Sequence, residues 1–175
     1  VYPEKQFYDF CDSHGILVWQ DFSMACATYP QDDEFARRIE EEVETVVRQF
    51  RDHPSLVLWA GDNECDEMVW RYIKFKSNTL TRKTLPEMIA RNDAYRDYLP
   101  SSPYVPDGVD EDIVPERHLW GPRDYYKSSF YKDSIAHFVS ETGYHGCPSP
   151  ESLKKFIPED HLWNGGNMKP DGTPY

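Results

Sequence analysis

The sequence predicts an α/β fold built on a parallel sheet. Short apolar runs of strand-forming residues recur along the 175 residues, among them Ile16–Trp19, Leu56–Trp59 and 137–141. The connections between such runs are long and mostly helical in pattern. Helix and strand in alternation imply parallel strands joined by right-handed crossovers. Polar residues also follow the strands directly, as Asn63 and Glu64 follow the second. That placement favours part of a (β/α)8 barrel over a doubly wound sheet. No GxGxxG and no GxxxxGK[ST] follows any strand, so nucleotide binding loses its usual signature.

Each element has a local reason. Residues 3–14 read as a helix with Pro3 in its first turn, stripe residues Phe7, Phe10 and Cys11, and Gly15 as the stop. Ile16–Trp19 is a short strand. Pro30–Asp33 supplies a turn and N-cap candidates for a helix reaching Arg51, with Phe35, Ile39, Val43, Val46, Val47 and Phe50 on one face. His53-Pro54 ends it, and a buried strand over 55–60 follows. The pattern of 68–75 fits helix and active-site loop equally. Thr84-Leu-Pro-Glu87 reads as a capping box opening a helix to Tyr95. Tyr98-Leu99 is a short strand, 104–115 a Pro- and Asp-rich loop, and Arg117–Trp120 a strand closed by Gly121-Pro122. A helical stretch over 124–135 leads to the strand 137–141. Ser149 or Ser152 caps a short helix to Ile157, and the Gly- and Pro-containing tail is loop.

Composition narrows the function classes. With 39% apolar and 15% aromatic residues, the chain can bury a sizeable core as one domain. Five Trp and twelve Tyr suit a large core or a sugar-stacking cleft. A net charge of −12 argues against a nucleic-acid partner, whose backbone needs concentrated Lys and Arg. No run approaches a membrane span in length. Cys11, Cys26, Cys65 and Cys147 form no CxxC pair, which removes a zinc ribbon and reads as free thiols, leaving the compartment open.

Two carboxylates stand out, Glu64 and Glu141, each at the end of a short strand and far apart in sequence. They are the raw material of a paired acid/base site. His118 and His145 are weaker site candidates near strand ends, His53 and His137 read as structural, and Trp59 reads as core. Trp19, Trp120 and Tyr144 fit either packing or sugar stacking. Asp21 fits a sugar-binding or a loop-capping role equally. A hard-cation site from Asp62, Glu64, Asp66 and Glu67 lacks EF-hand spacing, and neither a metal nor a cofactor is expected.

Three ordered motifs are more specific. Phe7-Tyr-Asp-Phe-Cys-Asp-Ser-His-Gly-Ile-Leu-Val-Trp-Gln-Asp-Phe22, His53-Pro-Ser-Leu-Val-Leu-Trp-Ala-Gly-Asp-Asn-Glu64 and Phe138-Val-Ser-Glu-Thr-Gly143 resemble glycoside hydrolase family 2, most closely its β-mannosidase-like branch. The resemblance spans residues 1 to about 157. It implies a (β/α)8 catalytic barrel, with this chain covering about strands 3 to 7, and hydrolysis of terminal β-linked sugars with retention. It implies Glu64 as acid/base, Asn63 as the group bonding the sugar 2-hydroxyl, Glu141 as nucleophile, and Trp19 as an aromatic wall. Trp120 and Tyr144 join the expected substrate contacts. The branch usually reads Gly-Asn-Asn-Glu, and Asp62 departs from it at a position expected to bear on sugar specificity.

The expected domain organisation is a single unit, 1–175, that is a fragment of the catalytic barrel without the family's flanking β-sandwich domains. Its expected partners are a β-glycoside or oligosaccharide substrate and the remainder of a parent polypeptide. An incomplete parallel arc has unpaired edges, so the fragment alone is expected to be inactive. The expected substrate is a β-mannoside. The alternatives are a β-galactosidase or β-glucuronidase of the same family, or a degenerate barrel that binds carbohydrate without catalysis.

Overall fold

The computed structural model describes residues 2–66, 78–104, 116–121, 127–143, 146 and 148–162. The undecided stretch 68–75, nearly all of the loop 104–115 and the tail lie outside these residues.

Helix α1 (Lys5–His14) opens the chain and buries Tyr8 and Cys11. It stops at Gly15, whose φ of +67° is the left-handed conformation glycine adopts without penalty. Strand β1 (Val18–Asp21) follows, two residues later than the apolar run begins, because Ile16 and Leu17 stay exposed ahead of the pairing. Helix α2 (Asp33–Phe50) is capped by Asp32, whose side chain accepts from the Phe35 amide. Its inner face buries Ile39, Val43, Val46, Val47 and Phe50. At roughly 1.5–3 kcal/mol per buried apolar side chain, this packing outweighs the few tenths from each exposed i,i+4 ion pair such as Glu34–Arg38.

Strand β2 (Leu56–Ala60) pairs in parallel with β1 and with β3 (Asp97–Leu99). Strands β4 (Glu116–Trp120) and β5 (Phe138–Gly143) form a second parallel pair. Single bridges from Asn63 to Ala25 and to Ser102 carry the first sheet beyond the ends of its strands. Every pairing among the described residues is parallel, as the alternation of elements predicts.

The core lies between the first sheet and its helices. Phe22, Leu56 and Trp59 pack against Tyr8, Val43, Phe50, Leu85 and Ile89. Trp59 is fully buried, as read from the sequence, and its indole donates to Asp93 at 2.9 Å. On β1, Val18 and Gln20 are buried, while Trp19 and Asp21 point to the opposite face.

Two elements differ from the sequence reading. Thr84 caps nothing, because its backbone is already helical and a π-helical turn (Leu80–Thr84) runs into helix α3 (Leu85–Asn92). The acceptor for the preceding turn is Gln31, whose Oε1 takes the Thr79 amide at 2.7 Å and the Leu80 amide at 3.3 Å. A cap supplied from so far along the chain leaves no local motif. The helix expected over 124–135 is reduced to the single turn α4 (Ser129–Lys132) among the described residues. Ser149 caps helix α5 (Pro150–Leu153) through the Ser152 amide. No helix among the described residues is long and apolar enough to cross a membrane.

Candidate active site

The site is assembled at the carboxyl ends of the strands. Beyond β2, Gly61 passes so close to β3 that a Cβ would lie 2.2 Å from the Pro100 carbonyl oxygen. Only glycine permits that approach. The chain then dips, and Asp62 is fully buried beneath the site. Its carboxylate accepts from the Cys65 amide at 3.1 Å, the Ser101 hydroxyl at 2.5 Å and Asn78 at 3.3 Å. Asp62 therefore anchors the segment carrying Asn63 and Glu64 and does not line the cleft.

Burial pushes the Asp62 carboxyl up to about 6, although the Ser101 hydrogen bond works against it. The fold thus holds this proton more tightly than the unfolded chain does. The stabilising contribution is complete below about pH 4 and is lost as pH rises through about 6. Asp62→Asn is expected to remove this loss, worth roughly 3 kcal/mol at most. Thermal midpoints measured from pH 4 to pH 8 should therefore fall less steeply in the variant than in the wild type.

Asn63 bridges to the segment after β1, its backbone amide donating to Met24 O at 2.9 Å and its carbonyl accepting from the Cys26 amide at 2.8 Å. Glu64 follows with φ +58°, a left-handed backbone that a glutamate adopts only at a cost of about 1 kcal/mol or more. Its amide is pinned to Ser102 O at 2.7 Å. This turn re-aims the side chain toward β4 and β5.

On those strands a β-bulge does comparable work. Arg117 pairs with Val139 but His118 pairs with Glu141, which leaves Ser140 as the extra residue. His118 Nδ1 lies 2.8 Å from Glu64 Oε1 and 2.8 Å from Glu141 Oε2. The donor atoms of Glu64, His118 and Glu141 all fall within 4.8 Å of one another. The two carboxylates singled out in the sequence are therefore brought together, with an imidazole between them.

A cleft of ≈ 330 Å³, at the small end of ligand pockets, opens beside this cluster. Trp19, Asp21, Asn63, His118, Phe138 and Glu141 contribute to its lining. The Trp19 and Phe138 rings stack 6.0 Å apart with planes 5° from parallel, and the Trp19 indole donates to Asp21 at 2.7 Å. Burial raises the Asp21 carboxyl, against the pull of that hydrogen bond. The Cys26 thiol donates to Glu64 Oε2 at 3.4 Å, and burial together with that carboxylate raises its pKa.

Trp120 is half-exposed and packs over Gly143, where a Cβ would sit 1.9 Å from the ring, outside the lining of this cleft. Tyr144 and His145 lie outside the described residues.

Sequence reasoning missed Glu116, which is buried on β4. Its Oε1 accepts from the Ser102 and Ser140 hydroxyls, and its Oε2 from the Tyr104 amide at 3.2 Å. Burial raises this carboxyl, but hydrogen bonds from His118, Ser102 and Ser140 outweigh that and leave it below the usual range. For His118, burial works against the proton, yet bonds to Glu116 and Glu64 and the charge of Glu141 raise it to about 9. The alternation Glu116-x-His118 on a strand was the available signal, since it puts both side chains on one face.

Glu64, His118 and Glu141 have the spacing of a ligand set, but a His118 ring that holds its proton up to about 9 has no lone pair to offer a cation near neutral pH, so the cluster is an ion-paired one. A second group, Asp9, Asp12 and His53, lies elsewhere and is spent on structure: His53 bonds Asp12 at 2.6 Å, and Asp12 accepts the Ser55 amide at 2.9 Å.

Comparison with known proteins adds three findings. The family model described as "Glycosyl hydrolases family 2, TIM barrel domain" matches residues 1–96. A β-mannosidase of Bos taurus is 33% identical across 95% of this chain and 23% of its own, and β-mannosidase B of Thermothelomyces thermophilus is 29% identical across 90% and 21%. The crystal structure of a β-D-mannosidase from Dictyoglomus thermophilum superposes with a TM-score of 0.79 at 36% identity, covering 91% of this chain and 20% of that one. The chain thus spans about a fifth of the length of these relatives.

Proposed function

We propose a function from one premise: the chain belongs to glycosyl hydrolase family 2, through its TIM barrel domain. Its fold is part of a (β/α)8 barrel, and the five strands among the described residues stand as about the third to the seventh. On our reading the chain carries the two catalytic carboxyls of a retaining exo-β-glycosidase acting on β-mannosides. It works within a longer polypeptide that completes the barrel and adds the flanking domains, and alone it lacks turnover.

The observation that carries this reading is the meeting of Glu64 and Glu141 from separate strands, with oxygens within 4.8 Å. An inverting enzyme needs roughly 6.5–9.5 Å between its carboxyls to admit a water, and a retaining one roughly 5–5.5 Å. The shorter separation supports direct attack. Glu141 attacks the anomeric carbon while Glu64 protonates the departing oxygen. A glycosyl ester on Glu141 results, and water activated by Glu64 then releases the sugar with its configuration retained. Asn63 donates to the 2-hydroxyl, and Trp19 beside Phe138 supplies an apolar wall for the ring. The names of the relatives support mannose as the sugar.

The test is a panel of aryl β-glycosides offered to the full-length polypeptide. The β-mannoside is expected to exceed the β-galactoside and β-glucuronide in kcat/KM by about 10²-fold or more, because a site that hydrogen-bonds sugar hydroxyls rejects a mispositioned one strongly. Preference for either of the other sugars would reassign the substrate. Turnover of none would leave a carbohydrate-binding barrel.

A further inference from the structure

We propose that Glu116 is a positioning residue that acts through His118: by holding both ring nitrogens of His118 protonated, it keeps the Glu64 and Glu141 carboxyls drawn to one point. The inference rests on the reading of those two residues as the catalytic pair.

Hydrogen-bond bookkeeping carries it. The Glu116 carboxylate can only accept, and its Oε1 takes the hydroxyl proton of Ser102. That leaves Ser102 Oγ with only lone pairs to offer His118 Nε2, 2.9 Å away, so Nε2 must bring a proton. Glu116 Oε1 itself lies 3.6 Å from the same nitrogen. On the other side of the ring, Nδ1 faces one oxygen each of Glu64 and Glu141, both at 2.8 Å; Glu141, ionised as a nucleophile must be, can only accept, so Nδ1 must also carry a proton. A ring with two N–H groups is an imidazolium. The elevated proton affinity of His118 agrees with this geometry.

The consequence is a bridge that survives only while the ring is charged. If Nδ1 gave up its proton, a lone pair would face the ionised Glu141 oxygen 2.8 Å away and push that carboxylate from the shared point. The Glu141 Oε2 atom, buried and without a hydrogen-bond partner among the described residues, would then lose its neighbouring positive charge as well. The charged or titratable groups facing His118 are Glu116 on its own strand, Glu64 beyond β2, Glu141 on β5 and, more distantly, Asp21 on β1. Cys26 reaches only Glu64. Three nearby carboxylates favour the charged ring, and Glu116 is the one among them with no place in the chemistry.

The test is the pH profile of kcat/KM in the full-length polypeptide for wild type, Glu116→Gln and Ser102→Ala. Removing the anion should let His118 discharge about two pH units lower, the middle of the one to three units by which an opposite charge at this range shifts a titration. The ratio of kcat/KM at pH 8 to that at pH 5.5 is expected to fall about tenfold in Glu116→Gln and less, but in the same direction, in Ser102→Ala. A merely structural role would lower activity at every pH and leave the ratio alone, and that result would overturn the proposal. If Glu116→Gln does not fold, Ser102→Ala decides by the same ratio. Glu141→Gln, run alongside, separates the two layers. If it abolishes turnover while the profiles stay unshifted, only the positioning role is lost; if it retains turnover, the assignment of the pair falls and the positioning role with it.

Discussion

Glu141→Gln in the full-length polypeptide is expected to lower kcat by about 10⁴-fold or more, with substrate still bound. The amide keeps the size of the side chain and its place on β5 opposite His118 but has no charge with which to attack. Because the nucleophile forms a bond that exists only from the transition state onward, the loss belongs in kcat rather than KM. Stability should change little, for the Glu141 side chain is more than one-third exposed and its close ion pair with His118 is partly open to water. Steady-state kinetics with an aryl β-mannoside, together with equilibrium binding of the unreacted substrate, checks both halves. Retained turnover would remove Glu141 as nucleophile.

Glu64→Gln is expected to give a loss that depends on the leaving group. Proton donation contributes about 10²–10⁴-fold when the departing oxygen is a poor leaving group, and little when it leaves readily as a stable phenolate. An alkyl β-mannoside should therefore lose about 10³-fold, while a nitrophenyl β-mannoside loses far less in the glycosylation step. The contrast distinguishes Glu64 from Glu141, whose removal harms all substrates alike. Equal losses across a leaving-group series would show that the acid/base assignment is misplaced.

What could be read in the sequence was what local chemistry writes there. The amphipathic face of α2, the glycine stop of α1 and the apolar run of β2 each depend on neighbours in the chain, and each stands where expected. Glu64 and Glu141 were also legible, because one lies just beyond an apolar strand and the other in the carboxyl-terminal half of one, and parallel strands gather those ends on one side. Their meeting through His118 was not, since it needs the left-handed turn at Glu64 and the bulge at Ser140, neither of which has a residue signature. Glu116 was hidden for a related reason. Its partners Ser102 and Ser140 are 14 and 24 residues away, and a buried carboxylate is recognisable only once its donors are known. Asp62 shows the converse case, a residue flagged by its motif position whose work is to hold the backbone from below. The helix start misread at Thr84 is of the same kind, since the donor groups there are satisfied by Gln31.

The backbone at Glu64 carries a last implication. Asparagine and glycine tolerate φ +58° at lower cost than glutamate does. Directed evolution that rewarded heat resistance alone would drift toward those residues here and abandon the carboxylate. The site therefore marks a conflict between durability and turnover, written into one dihedral angle, and stabilising campaigns on this barrel should leave position 64 untouched.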